Sequence, residues 1–138
     1  MKKYLRILAM LILISSLISC NKSIVYHSDF VSESNNTLEY DTDEYLYDEI
    51  VFTVDKDKID VKFEGKISVD DGKAKILITS NNGKILYEES FSNVNNQKIN
   101  IKCENLTKES PYKLILDGTK SKKLKLKLES NDKINITH

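Results

Sequence analysis

The sequence predicts an all-β fold, an antiparallel β-sandwich of about seven strands with an Ig-like, Greek-key or meander order. Hydrophobic residues alternate with polar ones along most of the chain, which is the pattern of strands with one buried face. Asp-Gly and Asn-Gly pairs interrupt these runs, as in short strands joined by tight turns. No stretch has the helical period over enough residues to form a helix. A small closed barrel is the alternative architecture.

Each strand is predicted from its own alternation. Asp71-Gly72 and Asn82-Gly83 lie 11 residues apart and supply the positive φ angles of type I′ hairpin turns. They predict a three-strand meander over residues 61–91, and Asp117-Gly118 is predicted to turn the chain again. The predicted strands are residues 49–54, 61–69, 73–80, 84–91, 99–103, 112–116 and 124–128.

The register of the Asn82-Gly83 hairpin stays open. A two-residue loop pairs Ile78 with Tyr87 and leaves Leu77 and Leu86 on the outer face. A three-residue loop shifts every partner by one position. In the first register the two leucines either form a contact patch or are covered by the second sheet or by edge loops.

Residues 1–20 have the features of a secretory signal. An apolar run of 12 residues, Ile7 to Ile18, follows three basic residues, Lys2, Lys3 and Arg6. A membrane-spanning helix is not favoured, because about 20 apolar residues are needed to cross the hydrocarbon core.

The end of this signal, Leu17-Ile18-Ser19-Cys20, resembles the lipobox of bacterial lipoproteins. The resemblance implies that Cys20 receives a diacylglyceryl group and becomes the first mature residue. Several acyl chains, at about 0.8 kcal/mol per buried CH₂, hold a protein on a bilayer. We therefore expect a covalent lipid at Cys20, no other cofactor, and a place at the extracytoplasmic face of the cell membrane. An ordinary secretory signal with an incidental cysteine is the alternative.

The rest of the chain resembles the uncharacterised small β-sandwich lipoproteins of low-GC Gram-positive bacteria. Residues 65–73, 82–87, 105–107 and 112–114 carry this resemblance, and all of them are turn-and-strand patterns. The resemblance implies a fold and a location, and it implies no activity, because a fold alone does not determine function.

The chain divides into three predicted segments: a lipoprotein signal at residues 1–20, a flexible tether at residues 21–36 and a β-sandwich domain at residues 37–138. Removal of the signal leaves 18 lysines against 21 acidic residues, a net charge of −3. This sign disfavours a nucleic-acid partner. Once Cys20 is acylated only Cys103 remains, so the mature chain cannot form an internal disulfide.

An enzyme is not predicted. His27 lies in the predicted tether and His138 is the final residue, so neither can join a catalytic constellation on a rigid scaffold. Cys103 is in phase with Ile99 and Ile101 and is interpreted as a small buried hydrophobe rather than a nucleophile. The sequence has no cysteine or histidine cluster with zinc spacing and no glycine-rich phosphate loop.

The segment from Asp29 to Glu49 contains eight acidic residues and no lysine. Carboxylates are the ligands that Ca²⁺ prefers, but the turn glycine and the distal glutamate of an EF-hand loop are missing. We expect a solvated acidic loop and no metal site. One alternative is calcium binding by the side chains of Asp41, Asp43, Glu44 and Asp48. The other is a carboxylate-dependent enzyme that uses the carboxylates from Asp41 to Glu49.

Two sets of side chains are candidates for binding. The tyrosines form an aromatic surface for sugars or proteins if their segment is extended. The lysines alternate with leucines along one strand, and they either meet an acidic partner such as teichoic-acid phosphate or protect a sheet edge from aggregation. The candidate residues are Tyr40, Tyr45, Tyr47, Lys123, Lys125 and Lys127.

Together these features predict a membrane-anchored lipoprotein of the cell envelope that acts as a non-enzymatic binding or accessory module. The expected partner is another envelope protein. The alternative is direct binding of a cell-wall polymer or glycan.

Overall fold

The computed structural model describes residues 37–137, and all regular structure in this range is β-strand. Six strands follow one another: β1 (Thr37–Thr42), β2 (Leu46–Val54), β3 (Ile59–Ser80), β4 (Ile85–Leu106), β5 (Tyr112–Ser130) and β6 (Ile134–Thr137). The all-β prediction is therefore confirmed. Within the same range no helix is long and apolar enough to cross a membrane. The predicted signal, the predicted tether, Cys20, His27 and His138 lie outside the described residues.

One antiparallel sheet contains all six strands, in the order β4-β3-β5-β2-β6, and β1 also pairs with β5. β3 pairs with β4 along one side and with β5 along the other. β5 is shared by two partners on its outer side, because β2 pairs with residues 112–118 and β1 pairs with residues 124–129. The three long strands therefore run through both halves of the molecule.

The sheet folds over on itself so that its two halves face each other. One half, here called the β1 layer, contains β1 with residues 59–70, 94–106 and 121–130. The other half, the β2 layer, contains β2 and β6 with residues 73–80, 85–92 and 112–118. Phe52 of the β2 layer meets Phe63 of the β1 layer edge to face, with ring centroids 5.7 Å apart. The result is a sandwich-like domain made from a single sheet.

Among residues 37–137, twenty-five buried hydrophobic residues form one cluster between the layers. In the β1 layer the odd-numbered residues of β3 point inward, as Val61 and Phe63 do, whereas in the β2 layer the even-numbered Ile76 and Ile78 do. This change of phase requires an irregularity inside β3, and the pairing with β4 does shift between Val69 and Lys73. The irregularity keeps the apolar side chains on the inner face after the strand has bent.

Two predicted turns are bends inside continuous strands, so the predicted three-strand meander is wrong, and the described residues form six strands rather than about seven. Asp71-Gly72 lies within β3, where Gly72 has a φ of 142°. Gly118 lies within β5, and its carbonyl accepts a hydrogen bond from the buried Ser121 hydroxyl at 3.0 Å. Gly72 has the positive φ that an Asp-Gly pair signals, whereas Gly118 does not. An Asp-Gly pair can occur in a hairpin turn or within an irregular strand, so the sequence cannot separate the two.

The Asn82-Gly83 hairpin is confirmed, and it joins β3 to β4. The Ser80 carbonyl accepts from the Gly83 N–H and the Ser80 N–H donates to the Lys84 carbonyl, both at 2.9 Å, which closes a three-residue loop. Gly83 has a φ of 80°, as expected of a glycine bulge after a turn. A register shift after Ile78 then pairs Ile78 with Tyr87, which is the pairing of the two-residue alternative.

This bulge also separates the two leucines. Leu77 points outward beside Ile115 of β5, whereas Leu86 packs against the core cluster. Leu86 therefore does not belong to an outer patch with Leu77. Ile85, which is 55% exposed, occupies the outer face instead.

Candidate functional site

The outer face of the β1 layer is polar throughout. Its outward side chains come from β1, β3, β4 and β5, and nearly all of them are charged, amide or hydroxyl groups. Two open pockets lie side by side on it, of about 610 and 810 Å³. This face contains the predicted lysine ladder and part of the predicted acidic segment.

The lysine ladder of β5 does lie on this face, but two of its members are paired with the acidic segment. The Lys125 ammonium lies 3.0 Å from Asp41 and the Lys123 ammonium lies 4.0 Å from Asp43. The hydrogen bond and the charge of Asp41 raise the pKa of Lys125 above its usual value. Lys127 contacts Glu129 at 3.2 Å on its own strand. The ladder is thus largely neutralised along β5.

A second line of lysines crosses the strands instead of following one. Lys66 of β3 is directly opposite Lys98 of β4 on one side and Lys127 of β5 on the other. We call these three residues the lysine row. Directly opposite side chains in an antiparallel pair have Cβ atoms about 5 Å apart, and like charges there destabilise the sheet. Among the described residues, no carboxylate lies within ion-pair distance of Lys66 or Lys98, and the three lysines line the smaller pocket together.

Another pair of opposed lysines shows how such repulsion is relieved elsewhere. Lys62 faces Lys102 across β3 and β4. The Lys102 ammonium contacts Glu104 at 2.5 Å and Asp60 at 3.4 Å. Hydrogen bonds to these carboxylates raise the pKa of Lys102. Lys66 and Lys98 have no such carboxylates among the described residues, so their positive charges are available to a ligand, whereas Lys127 is paired with Glu129.

Glu64 and Glu129 line the same pocket next to the lysine row. They face each other across β3 and β5, one row further along the strands. The pocket therefore has three ammonium groups and two carboxylates, a net charge of +1. An anionic group that binds over Lys66 and Lys98 lies on the positive side of this pocket.

The larger pocket lies at the level where the long strands bend. We call it the bulge pocket, because β4 has an extra residue there between the pairs Ile67–Gln97 and Val69–Val94. Bulges of this kind redirect side chains and are frequent beside functional sites. Four strands or their ends contribute to its lining: Asp41, Asp43, Ser68, Asp70, Asn95, Asn96, Lys123 and Lys125.

Hydrogen bonds around Ser68 hold the two asparagines of the bulge. The Asn96 N–H donates to the Ser68 hydroxyl oxygen at 2.9 Å, and the Asn96 side-chain amide donates to Asn95 Oδ1 at 3.2 Å. Asn96 adopts a φ of 51°, which asparagine tolerates better than most residues. The Asn95 amide nitrogen and the Asp70 carboxylate have no hydrogen-bond partner among the described residues.

The three tyrosines are not one aromatic surface. Tyr40 is 4% exposed, and its hydroxyl donates to Asp48 at 2.6 Å. Burial, and then the contact with Asp48, raise the pKa of Tyr40 above its usual range. Its proposed role on an exposed surface is therefore wrong. Tyr47 is half-buried on the β2 layer opposite Asp117, whereas Tyr45 is 44% exposed and directly precedes β2.

The acidic side chains of the segment 41–49 are dispersed rather than gathered on one point. Asp41 and Asp43 face lysines, Glu49 contacts the Lys113 ammonium at 2.5 Å, and Asp48 accepts the Tyr40 hydroxyl. Within residues 37–137 no group of three histidine, cysteine or acidic side chains is placed to hold a metal ion. The alternative of a calcium site on Asp41, Asp43, Glu44 and Asp48 finds no support in this arrangement.

Cys103 lies on the inner face of β4 and is 1% exposed. Burial raises the pKa of its thiol to about 11, so the thiolate that nucleophilic chemistry requires is scarce at neutral pH.

The chain matches no protein-family model and no curated protein. A solved structure described as the EclA C-terminal domain, a sugar-binding protein, is similar to it over 86% of this chain and 87% of that chain. The sequence identity is 11% and the TM-score is 0.39. No residue role is carried over from so distant a likeness.

Sequence reasoning found Lys127 and missed Lys66 and Lys98. Each of these two lysines lies in a separate alternating run, and nothing local marks it as special. Only the strand register shows that these lysines are neighbours, because Lys66 pairs with both Lys98 and Lys127.

Proposed function

We propose that this protein is a non-enzymatic binding module of the cell envelope that binds an anionic cell-wall polymer through the lysine row. The proposal includes the lipid anchor at Cys20, which would hold the domain at the outer face of the membrane. The observation that carries it is the alignment of Lys98, Lys66 and Lys127 across three neighbouring strands.

The lysine row fits an extended anionic ligand better than a small one. It crosses three strands, and neighbouring strands lie about 4.8 Å apart. The two pockets are open to solvent along the same face, and a chain-like ligand can lie across them without entering a closed cavity. Relief of the repulsion among the three ammonium groups would add to the affinity, because the free protein bears that cost in its folded state.

The net charge of the predicted mature chain is opposite in sign to the charge of the lysine row. The mature chain carries a net charge of −3, so the molecule as a whole is repelled by anionic surfaces. Binding to an anionic polymer then depends on a local concentration of positive charge rather than on net charge. This dependence makes the proposed interaction specific to one face of the domain.

Sedimentation with purified cell wall tests the proposal. The full chain, purified in detergent, is mixed with cell wall and the bound fraction is measured over a range of salt concentrations. We expect binding that weakens as salt rises, and a loss of about tenfold in affinity for Lys66→Gln with Lys98→Gln, equivalent to about 1.4 kcal/mol.

The matched control is Lys56→Gln with Lys84→Gln, which removes the same charge from turns away from the lysine row. This control should bind as the unaltered chain does. Equal losses in both double variants would show a general charge effect, and wall binding that survives the Lys66 and Lys98 changes would contradict the proposal.

Contact with another envelope protein is the second candidate function, and the β2 layer favours it. Ile85 is 55% exposed on the outer face, where Leu77 and Ile115 are directly opposite each other. Crosslinking of the anchored protein in cells, followed by mass spectrometry, tests this candidate. Capture of one protein that Ile85→Ser abolishes would favour it, and capture that Ile85→Ser does not alter would contradict it.

A further inference from the structure

We propose that the bulge pocket is a subsite for hydroxyl groups, so that the ligand of this face is a polyol chain with anionic substituents. The inference rests on the proposed function, because it describes a second part of the same ligand. It assigns the anionic groups to the lysine row and the hydroxyl groups to the bulge pocket.

The two sites are close enough for one polymer. Lys127 of the lysine row and Lys125 of the bulge pocket are two residues apart on β5, which corresponds to about 7 Å along a strand. On β3, Lys66 and Ser68 have the same separation. A ligand that spans both sites therefore carries hydroxyl groups within roughly 7 Å of an anionic group.

The charges of the two pockets differ in sign. The bulge pocket contains three aspartates and two lysines, a net charge of −1, and the pocket at the lysine row has a net charge of +1. In the bulge pocket Lys123 and Lys125 are occupied by Asp43 and Asp41. An anionic group is thus directed to the lysine row, and a neutral group that forms hydrogen bonds suits the bulge pocket.

The free polar groups of the bulge pocket are those that a hydroxyl group uses. A hydroxyl is both a donor and an acceptor, and it needs a partner of each kind. The Asp70 carboxylate can accept from it, and the Asn95 amide nitrogen can donate to it. Asn95 Oδ1 is already engaged by the Asn96 amide at 3.2 Å, which orients the nitrogen of Asn95 and prepares this donor before any ligand arrives.

The bends of the strands create this arrangement. Two residues of β4 that would otherwise alternate between faces, Asn95 and Asn96, both line the bulge pocket. On β3, Asp70 lies within the register shift between Val69 and Lys73. The amide and the carboxylate come together because both strands are irregular at the same level.

Two polymers with the same number of phosphates separate the contribution of the hydroxyl groups from that of the anionic groups. A polymer of ribitol phosphate has both, whereas inorganic polyphosphate has phosphate without hydroxyl groups. The affinity of each for the full chain in detergent is measured for the unaltered protein, for Asn95→Ala and for Lys66→Gln with Lys98→Gln. Asn81→Ala, in the β3–β4 turn, is the matched control for loss of an exposed amide.

We expect Asn95→Ala to weaken binding of the ribitol polymer about tenfold, about 1.4 kcal/mol, and to leave polyphosphate binding unchanged. The lysine double variant should weaken both, and Asn81→Ala neither. If both polymers bind and Asn95→Ala affects them equally or not at all, the hydroxyl subsite is wrong and the proposed function stands. If neither polymer binds, the proposed function is wrong and the subsite with it. A melting temperature for Asn95→Ala equal to that of Asn81→Ala excludes an effect of misfolding.

Discussion

The outer faces of the two layers are built by the same three strands and yet differ in chemistry. On the β1 layer the outward residues of β3 and β5 include Lys66, Lys125 and Lys127, whereas on the β2 layer they include Leu77 and Ile115. Both layers bury their inner residues equally well. Packing therefore determines the residue types on the inner face of each layer only. The outer face can carry side chains that bind a ligand.

Replacement of a side chain that joins the layers should have the largest effect. Phe52 stacks on Tyr112 and meets Phe63 edge to face across the core. Phe52→Ala is expected to lower the free energy of unfolding by about 4 kcal/mol, because it removes these contacts and leaves a cavity. Denaturant unfolding measures the loss. A loss below about 1 kcal/mol would mean that the two layers do not depend on each other in this way.

The bend in β3 comes next in expected effect. A Cβ on Gly72 would lie 1.9 Å from the Lys120 carbonyl oxygen, at a φ of 142°. Gly72→Ala should therefore cost about 3 kcal/mol in stability from overpacking and backbone strain.

Gly83→Ala is the matched control for that bend, because its φ of 80° is also positive but a Cβ there would have no atom within 4 Å. We expect this control to cost about 1 kcal/mol, from backbone strain alone. Equal thermal shifts for the two alanine variants would show that the bend does not require glycine.

The Tyr40 hydroxyl links β1 to β2 and should make the fold sensitive to alkali. The pKa of Tyr40 is raised above its ordinary value of 10.0 in the folded state. Its contribution to stability is therefore complete below pH 10 and is lost as the pH rises above that value. Tyr40→Phe should cost about 1 kcal/mol at pH 7, because the hydrogen bond to Asp48 is lost.

Melting temperatures between pH 7 and 11 check this prediction, and the decline above pH 10 should be shallower in Tyr40→Phe. Some decline will remain, since burial and the contact with Glu89 also raise the pKa of Tyr87. Identical slopes for both proteins would contradict the role given to Tyr40.

The smallest expected effect on stability is an increase, and it sharpens the contrast between the layers. Lys66→Gln removes the central charge of the lysine row and should raise the free energy of unfolding by a few tenths of a kcal/mol. Lys113→Gln, on the β2 layer, should instead lower it slightly, because Lys113 has Glu49 as a partner. Salt should reduce both effects. If Lys66→Gln and Lys113→Gln change the free energy of unfolding in the same direction, the repulsion proposed at Lys66 is refuted.

Much of the fold was predictable because alternation reports burial directly. The predicted runs at residues 61–69, 112–116 and 124–128 all lie within observed strands, and the Asn82-Gly83 hairpin is where it was expected. Fewer features of the candidate site were predictable. Lys123, Lys125 and Lys127 do face outward, but the ion pair of Lys125 with Asp41 depends on the pairing of β1 with β5, whose partners are more than 80 residues apart in sequence.

The sequence by itself determined the strand character of the chain, the inner face of most strands and the burial of Cys103, since each of these follows from a period of two residues. The start of β4 is an exception, because the bulge there places Ile85 on the outer face. Only the tertiary structure decided that Asp71-Gly72 and Asp117-Gly118 lie inside continuous strands, because an Asp-Gly pair can occur in a hairpin turn or within an irregular strand. It also decided which lysines meet. Lys66, Lys98 and Lys127 are neighbours through the register of three strands, and register is set by the packing of the whole sheet rather than by any one segment.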